Sequence, residues 1–252
     1  MSDSHTNHRV AVLQSSYIPW KGYFDIIAAV DTFVIYDEVQ FTSQDWRSRN
    51  RIKTQHGLQW LSIPVGNHIS RRIDETVVTN GRWARKHCAT LQQSMAAAPF
   101  AADVFAELVP AYEHLASEQL LSHINIHLMR TIMRLFAIDT PVVNSTDITY
   151  DRSLDATGRL VSLCQALGAT TYVSGPSAAS YLAPEKFAGA GIDLEFVDYS
   201  QYREYPQLHG DFEHAVTAID LLANTGSQAR EFLLTPRDRT QPSPLLVPQV
   251  MT

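Results

Sequence analysis

The stretch Val10-Ala-Val-Leu-Gln14-Ser-Ser-Tyr17-Ile-Pro-Trp20-Lys21-Gly-Tyr23-Phe-Asp-Ile-Ile-Ala-Ala-Val30-Asp-Thr-Phe33-Val-Ile-Tyr36-Asp37-Glu-Val-Gln40 changes its hydrophobic period twice, and those changes decide the fold. Val10 to Leu13 is a short apolar run, closed by Ser15, Ser16 and Pro19, after which Tyr23, Phe24, Ile27 and Val30 recur at helical spacing. Phe33 to Tyr36 is a second apolar run and ends in Asp37 and Glu38. Strand, helix and strand in so short a span make one βαβ unit, whose right-handed crossover leaves the two strands parallel. Open α/β sheets bind ligands outside the carboxyl ends of such strands. Gln14, Tyr17, Trp20, Lys21, Tyr23, Asp37 and Glu38 fall on that edge.

Working outward, residues 1–8 read as a disordered leader. Downstream, Gln40 to Lys53 is a polar and aromatic loop leading into an extended basic segment. Leu58 to Val65 reads as a buried strand, Ile73 to Thr79 as a further strand, and Asn80-Gly81 as a turn. Helices are expected over Arg82 to Met95, from Pro99 to Tyr112, and over Ser117 to Phe136, where Leu121, Ile124, Leu128, Ile132 and Leu135 share one face. A strand at Thr140–Asn144, a helix at Leu154–Leu167, a strand at Thr170–Val173, a short helix to Leu182 and a strand at Leu194–Asp198 restore the βαβ rhythm. A last helix is expected over Phe212–Leu222. The pattern predicts an α/β fold: a mostly parallel, doubly wound sheet with a mixed strand and helix insertion over about 54–136. It is read as a single domain over 9–235, followed by an irregular Pro-rich tail over 236–252.

With 45% hydrophobic and 18% charged residues in 252, the composition is that of a globular domain and excludes a disordered or coiled-coil chain. No apolar run reaches the roughly 18 residues of a membrane span, and the N-terminus lacks an apolar signal region, so the expected compartment is the cytoplasm. Cys88 and Cys164 fit neither a disulfide framework nor a zinc knuckle and are expected in the core. Charge is uneven. Nine of the 20 Lys and Arg lie between Arg47 and Lys86 against only Asp74 and Glu75, which makes that window +7 and the remainder −13. Arg71, Arg72, Arg82, Arg85 and Lys86 fit a solvated surface as well as a docking face. Arg47, Arg49, Arg51 and Lys53 alternate strictly, so all four are expected on one side of an extended segment, where like charges destabilise unless an anion satisfies them.

No Walker loop, GxGxxG, HExxH or GxSxG motif occurs, and His123 with His127 at i, i+4 has no third metal ligand placed by sequence. Lys21 can hold an anion or serve as a desolvated amine base. Asp37 is a candidate base or substrate clamp and is expected to face Lys21 across the first loop. His87 is the best proton shuttle by intrinsic pKa, although a structural histidine fits equally. Ser174-Gly175-Pro176-Ser177, between a strand and a helix, offers backbone N–H groups to an anion. Tyr17, Trp20, Tyr23, Trp46, Tyr181 and Tyr205 supply flat faces on which sugars or bases stack. Gln14, Asn50, Gln207, Asp220 and Asn224 supply amide and carboxylate contacts suited to a polyhydroxylated ligand, with Asp220 and Asn224 one helical turn apart.

Gln14-Ser-Ser-Tyr17-Ile-Pro-Trp20-Lys21-Gly-Tyr23-Phe-Asp25, Asp37-Glu-Val-Gln-Phe41, Trp46-Arg47-Ser-Arg49-Asn50-Arg51-Ile-Lys53, Tyr172-Val-Ser-Gly-Pro-Ser177, Tyr205-Pro-Gln207, Ile219-Asp-Leu-Leu222 and Asn224-Thr-Gly226 together resemble the WbqC-like family. The resemblance implies a transferase of bacterial surface-polysaccharide (O-antigen) synthesis that moves glycine or another small aminoacyl group onto an amino sugar, with a nucleotide sugar or other anionic small molecule as partner. The acyl donor stays open between free amino acid with ATP, a carrier-protein thioester and an aminoacyl-tRNA. Two other readings stand beside it. The missing nucleophile motif suits a non-catalytic sugar-nucleotide or nucleic-acid binding module. The Tyr17–Tyr23 loop also resembles the phosphate loop of HIGH-type nucleotidylyltransferases, which carry histidines where this chain has Trp20 and Tyr23, and this suggests nucleotidyl or adenylyl transfer.

Overall fold

The computed structural model describes residues 7–66, 71–234 and the backbone of 245–246. Five parallel strands, β1 (Arg9–Leu13), β2 (Thr32–Ile35), β5 (Val142–Asn144), β6 (Thr171–Ser174) and β7 (Asp193–Val197), are ordered β5-β2-β1-β6-β7. β8 (Leu245–Leu246) adds antiparallel to β7. The rest of the Pro-rich tail lies outside the described residues. Asn7 and His8, read as part of a disordered leader, are tied to the start of β6: Thr170 Oγ1 donates to Asn7 Oδ1 at 2.8 Å and accepts from the His8 amide at 2.9 Å, while the rest of that stretch lies outside the described residues.

Side chains of successive strand residues face opposite ways, and the two cores divide by that rule. Ala11, Phe33, Ile35 and Val173 face one core, and Val10, Val12, Val34, Tyr36 and Tyr172 face the other. The first core is covered by α1 (Lys21–Ala28), α2 (Trp83–Ser94), α3 (Ala101–His114), α4 (Leu121–Leu135) and α7 (Ala218–Thr225); the second by α5 (Ala156–Ala166) and α6 (Pro184–Gly189). The sheet is therefore doubly wound, and its order reverses between β1 and β6. The chain connecting β2 to β5 carries α2, α3, α4 and a separate antiparallel hairpin, β3 (Arg49–Thr54) with β4 (Gly57–Ser62), in which Arg51 lies opposite Trp60.

Several local expectations change. Leu58–Val65 is not wholly buried, because β4 presents Leu58 and Trp60 to solvent and turns Leu61 inward. Ile73–Thr79 forms no strand; Ile73–Glu75 is a single 3-10 turn, and Val77 makes only an isolated bridge to Leu120. The last helix begins at Ala218 rather than Phe212, where Thr217 Oγ1 accepts from the Ile219 amide and starts it.

His87, on the inner face of α2, donates to or accepts from the Tyr17 hydroxyl at 2.8 Å, and Tyr17 meets Tyr112 at 2.8 Å. Trp83 packs edge-on against Tyr17, His87 and Tyr112. The ring of His87 is 5% exposed, and burial, aided by Lys86, pushes it down to about 4. His87 is thus bound into the core by these contacts, and its burial favours the neutral ring. Tyr17 is fully buried, which removes it as a stacking face. Below pH 6.5 the unfolded chain takes up a proton that the folded chain refuses until about 4, so acid destabilises the fold through this residue. Relative to His87→Gln, the wild type should lose about 3 kcal/mol of unfolding free energy between pH 6.5 and 4. The comparison cancels Asp37 and Asp220, whose raised carboxyls act with the opposite sign. Denaturant titrations giving a flat difference across that window would show that the ring is not closed off from water.

Candidate functional site

At the reversal between β1 and β6, the loop after β1, the loop after β6 and the chain after β7 meet. Tyr199 donates from its hydroxyl to the Gly22 carbonyl at 3.4 Å, and a Cβ on Gly175 would lie 3.5 Å from that same hydroxyl. Trp20 packs edge-on against Tyr199 and Tyr202, and a Cβ on Gly22 would overlap its indole, so only glycine lets the ring lie over the start of α1.

Between Trp20 and Gly22 in the chain comes Lys21, 2% exposed, the first residue of α1. Its Nζ stands 4.2 Å from the centroid of Tyr202, 5.3 Å from Tyr205 and 6.0 Å from Phe212. Among the described residues its one hydrogen bond goes to the Arg203 carbonyl at 3.2 Å. Burial lowers the ammonium to about 8, against the partial support of Asp25. The positive end of the helix opposes the charge as well. Asp25 is itself taken by the Tyr202 hydroxyl and by the Leu234 amide. Beside the cage, His214 packs on Phe212 and Tyr202, and its Nδ1 is buried without a partner. Burial and then Lys21 lower its pKa, partly offset by Glu204 and Glu213. The cage therefore surrounds a lowered amine with aromatic rings, two of which, Tyr202 and Phe212, also pack against His214.

Lys21 and Asp37 do not face one another. Asp37 follows β2 on the other side of β1, where it accepts from the Ser15 amide at 2.7 Å and from the Ser122 hydroxyl at 2.5 Å. Its carboxyl is 4% exposed and raised by burial, with Ser122, Ser15 and Arg47 acting the other way. The role this geometry gives it is to fasten the Ser15 turn to α4.

The other polar candidates divide into closed and open groups. Asn50 is buried and spends its amide on the carbonyls of Tyr17 (3.1 Å) and Ile18 (2.8 Å), so it holds the loop and not a ligand. Tyr23 is buried with its hydroxyl on the Gln14 carbonyl, which leaves no stacking face. Tyr205 and Gln207 both donate to Asp220 Oδ1 at 2.8 Å, and Asn224 donates to the Asp220 carbonyl at 2.8 Å. The expected nearness of Asp220 and Asn224 is real, but the network is satisfied from within. Ser174 is buried at the end of β6, and Pro176–Ser180 is one 3-10 turn, too short for the dipole that anion binding at a helix start needs. Ser177 is exposed there. His127 stacks on His114, and His123 lies 3.3 Å from Glu118.

The basic row splits as well. Arg47 gives Nη1 to Ser16 at 2.9 Å and lies 3.5 Å from Asp45. Lys53 is buried and bonded to Gln207 and to the carbonyls of Gly210 and Asp211. Arg49 and Arg51, between them, have no carboxylate partner among the described residues. Arg71 turns back to the Val65 carbonyl, and Arg72 pairs with Asp74. The residues missed in the sequence are Tyr199, Tyr202, Phe212, His214 and Trp60. The run Tyr199-x-x-Tyr202-x-x-Tyr205 carried the signal, three tyrosines at equal spacing in a chain segment without a helix pattern. An open depression lined by Arg130, Met133, Ile138 and Thr140 lies at the opposite, amino end of the sheet and shares no residue with the cage.

A protein described as "Uncharacterized protein Rv1507c" from Mycobacterium tuberculosis (strain ATCC 25618 / H37Rv) is 44% identical over 227 residues, covering 89% of this chain and 97% of the relative. No solved structure matches. No helix among the described residues is long and apolar enough to cross a membrane. The family model described as "WbqC-like protein family" matches residues 14–232, from the first switch-point residue through the segment that follows α7, and the chain accordingly belongs to the WbqC-like family.

Proposed function

We propose that this chain is an aminoacyl transferase, moving glycine or a similarly small acyl group onto the amine of a nucleotide-linked amino sugar of surface polysaccharide, with Lys21 as the general base. The observation that carries this reading is the Lys21 amine, sealed among Tyr202, Tyr205 and Phe212 and lowered to about 8. A lysine kept only for charge gains nothing from such a place, whereas a base that must be neutral to act does. In the reaction the sugar amine attacks the acyl carbonyl of an ester or thioester, and the C–N bond forms. The proton released passes to the Lys21 nitrogen, and the C–O or C–S bond breaks as the leaving alcohol or thiol takes a proton back. His214 is the second station for that proton. Trp20, partly exposed and packed on Tyr202 beside the cage, offers the sugar a flat face.

Purified protein supplied with nucleotide-linked amino sugars and glycyl esters or thioesters should yield the N-acyl sugar by mass spectrometry. The rate should climb about tenfold per pH unit below 8 and level off above it. Lys21→Met should cut turnover by roughly two to four orders of magnitude with no loss of stability, because it removes a buried charge. Turnover like wild type in that variant sinks the reading.

Asp37→Asn should behave differently, since it replaces an acceptor of two hydrogen bonds by a mismatched amide. About 1–3 kcal/mol of unfolding free energy should go, with turnover per folded molecule kept within a few-fold. If this variant instead unfolds normally and is inactive, Asp37 belongs to the chemistry.

A further inference from the structure

We propose that the outer face of the β3–β4 hairpin binds a single-stranded nucleic acid, with bases stacked on Trp46 and Trp60 and phosphates held by Arg49 and Arg51. The inference goes beyond acyl transfer and stands on the hairpin alone. Trp46 and Trp60 keep 41% and 43% of their surface exposed, and their ring centroids lie 5.4 Å apart. Two large aromatic rings side by side on a surface are a recognition feature rather than a packing one.

The arginines beside them lie against the same rings. The Arg49 guanidinium stacks 4.2 Å from the Trp60 centroid, and that of Arg51 lies 5.8 Å from Trp60 and 6.0 Å from Trp46. Arg9, Arg72 and Arg152 each meet a carboxylate, whereas Arg49 and Arg51 meet none among the described residues, and the Nε of each is buried without a partner. A phosphate would complete both, because a guanidinium bonds phosphate oxygens while its flat face rests on a ring.

The form of the face selects the ligand. Arg49 and Arg51 are two residues apart on one strand and share one face, so two guanidiniums stand beside the rings. Small molecules need a concave site, and these rings stand in the open. A duplex hides its base faces in its own stack, so only an unpaired strand can give bases to two tryptophans. On the hairpin itself, Arg49 and Arg51 have no carboxylate partner among the described residues, which suits this face to an anion.

Titrating the full chain with a short fluorescein-labelled single-stranded RNA, read by anisotropy and by tryptophan quenching, tests the proposal against a duplex of the same sequence and against heparin. The expected result is saturable quenching by the single strand, with the duplex at least tenfold weaker. Trp60→Ala should weaken binding about tenfold or more. Replacing Arg49 and Arg51 by Gln should flatten the slope of log affinity against log salt by about 1.4. If Trp60→Ala fails to fold, Trp46→Ala, on an exposed loop, takes its place. Absence of binding overturns the proposal. So does equal affinity for heparin without quenching, which marks a generic polyanion contact. A change of oligomeric mass in Trp60→Ala with unchanged RNA affinity overturns it too, since the face would then join copies of the chain.

Discussion

The Asn50 amide, bonded to the carbonyls of Tyr17 and Ile18, is the contact on which the carboxyl edge of the sheet depends. Ile18 is held at φ 36°, a left-handed conformation that a β-branched side chain avoids at a cost of about 1–3 kcal/mol. Two hydrogen bonds from a buried amide, each worth about 1 kcal/mol net, offset that strain. The Tyr17 amide on the Trp46 carbonyl and the Ala218 amide on the Pro19 carbonyl add to them. What this clamp secures is the direction of the chain into α1. With the loop bent at Ile18, Trp20 lands on Thr217 and Lys21 enters the helix pointing toward the tyrosines that follow β7.

The same clamp ties the two distinctive surfaces together. Asn50 lies on β3 between Arg49 and Arg51, and the strand's alternation sends it inward while they face out. The Arg51 carbonyl accepts from the Thr217 amide, so the hairpin, the start of α7 and the first loop form one hydrogen-bonded unit. A ligand gripping the outer face of β3 therefore pulls on the strand that fixes the loop before Lys21.

The doubly wound sheet was legible in the sequence because Val10–Gln40 sets two short apolar runs on either side of a segment in which Tyr23, Phe24, Ile27 and Val30 recur at helical spacing, although α1 proves buried all round. The middle of the chain was less so. Ile73–Thr79 has the composition of a strand, but its backbone partners are single residues such as Leu120, and a bridge cannot propagate. At the site, the position of the edge was readable from topology, whereas the partners were not. Lys21 and Asp37 end adjacent strands, yet Lys21 turns toward the chain after β7 and Asp37 toward α4, choices made by partners 182 and 85 residues away in sequence. His87 was read as a proton shuttle and Tyr17 as a stacking face, and both lie in the core bonded to one another, because a polar side chain with a satisfied neighbour is inexpensive to bury. The reverse error was His214, whose free Nδ1 no local pattern announces.

Lys21 itself is the feature that packing alone does not account for. Moving its ammonium from 10.5 to about 8 corresponds to about 3 kcal/mol of lost preference for the charged form. Contacts with three aromatic faces, each worth about 0.5–2 kcal/mol when desolvated, return part of it. A leucine or methionine there would fill the same space among the rings and forfeit nothing. The sequence instead keeps a titratable amine at the positive end of a helix, next to a histidine nitrogen without a partner, at the strand reversal where open sheets take their ligands. Of the buried polar groups along this edge, Asp37, Asn50 and Asp220 are fully engaged in holding the fold. Lys21 and His214 retain unused valences, and it is unused valences that chemistry requires.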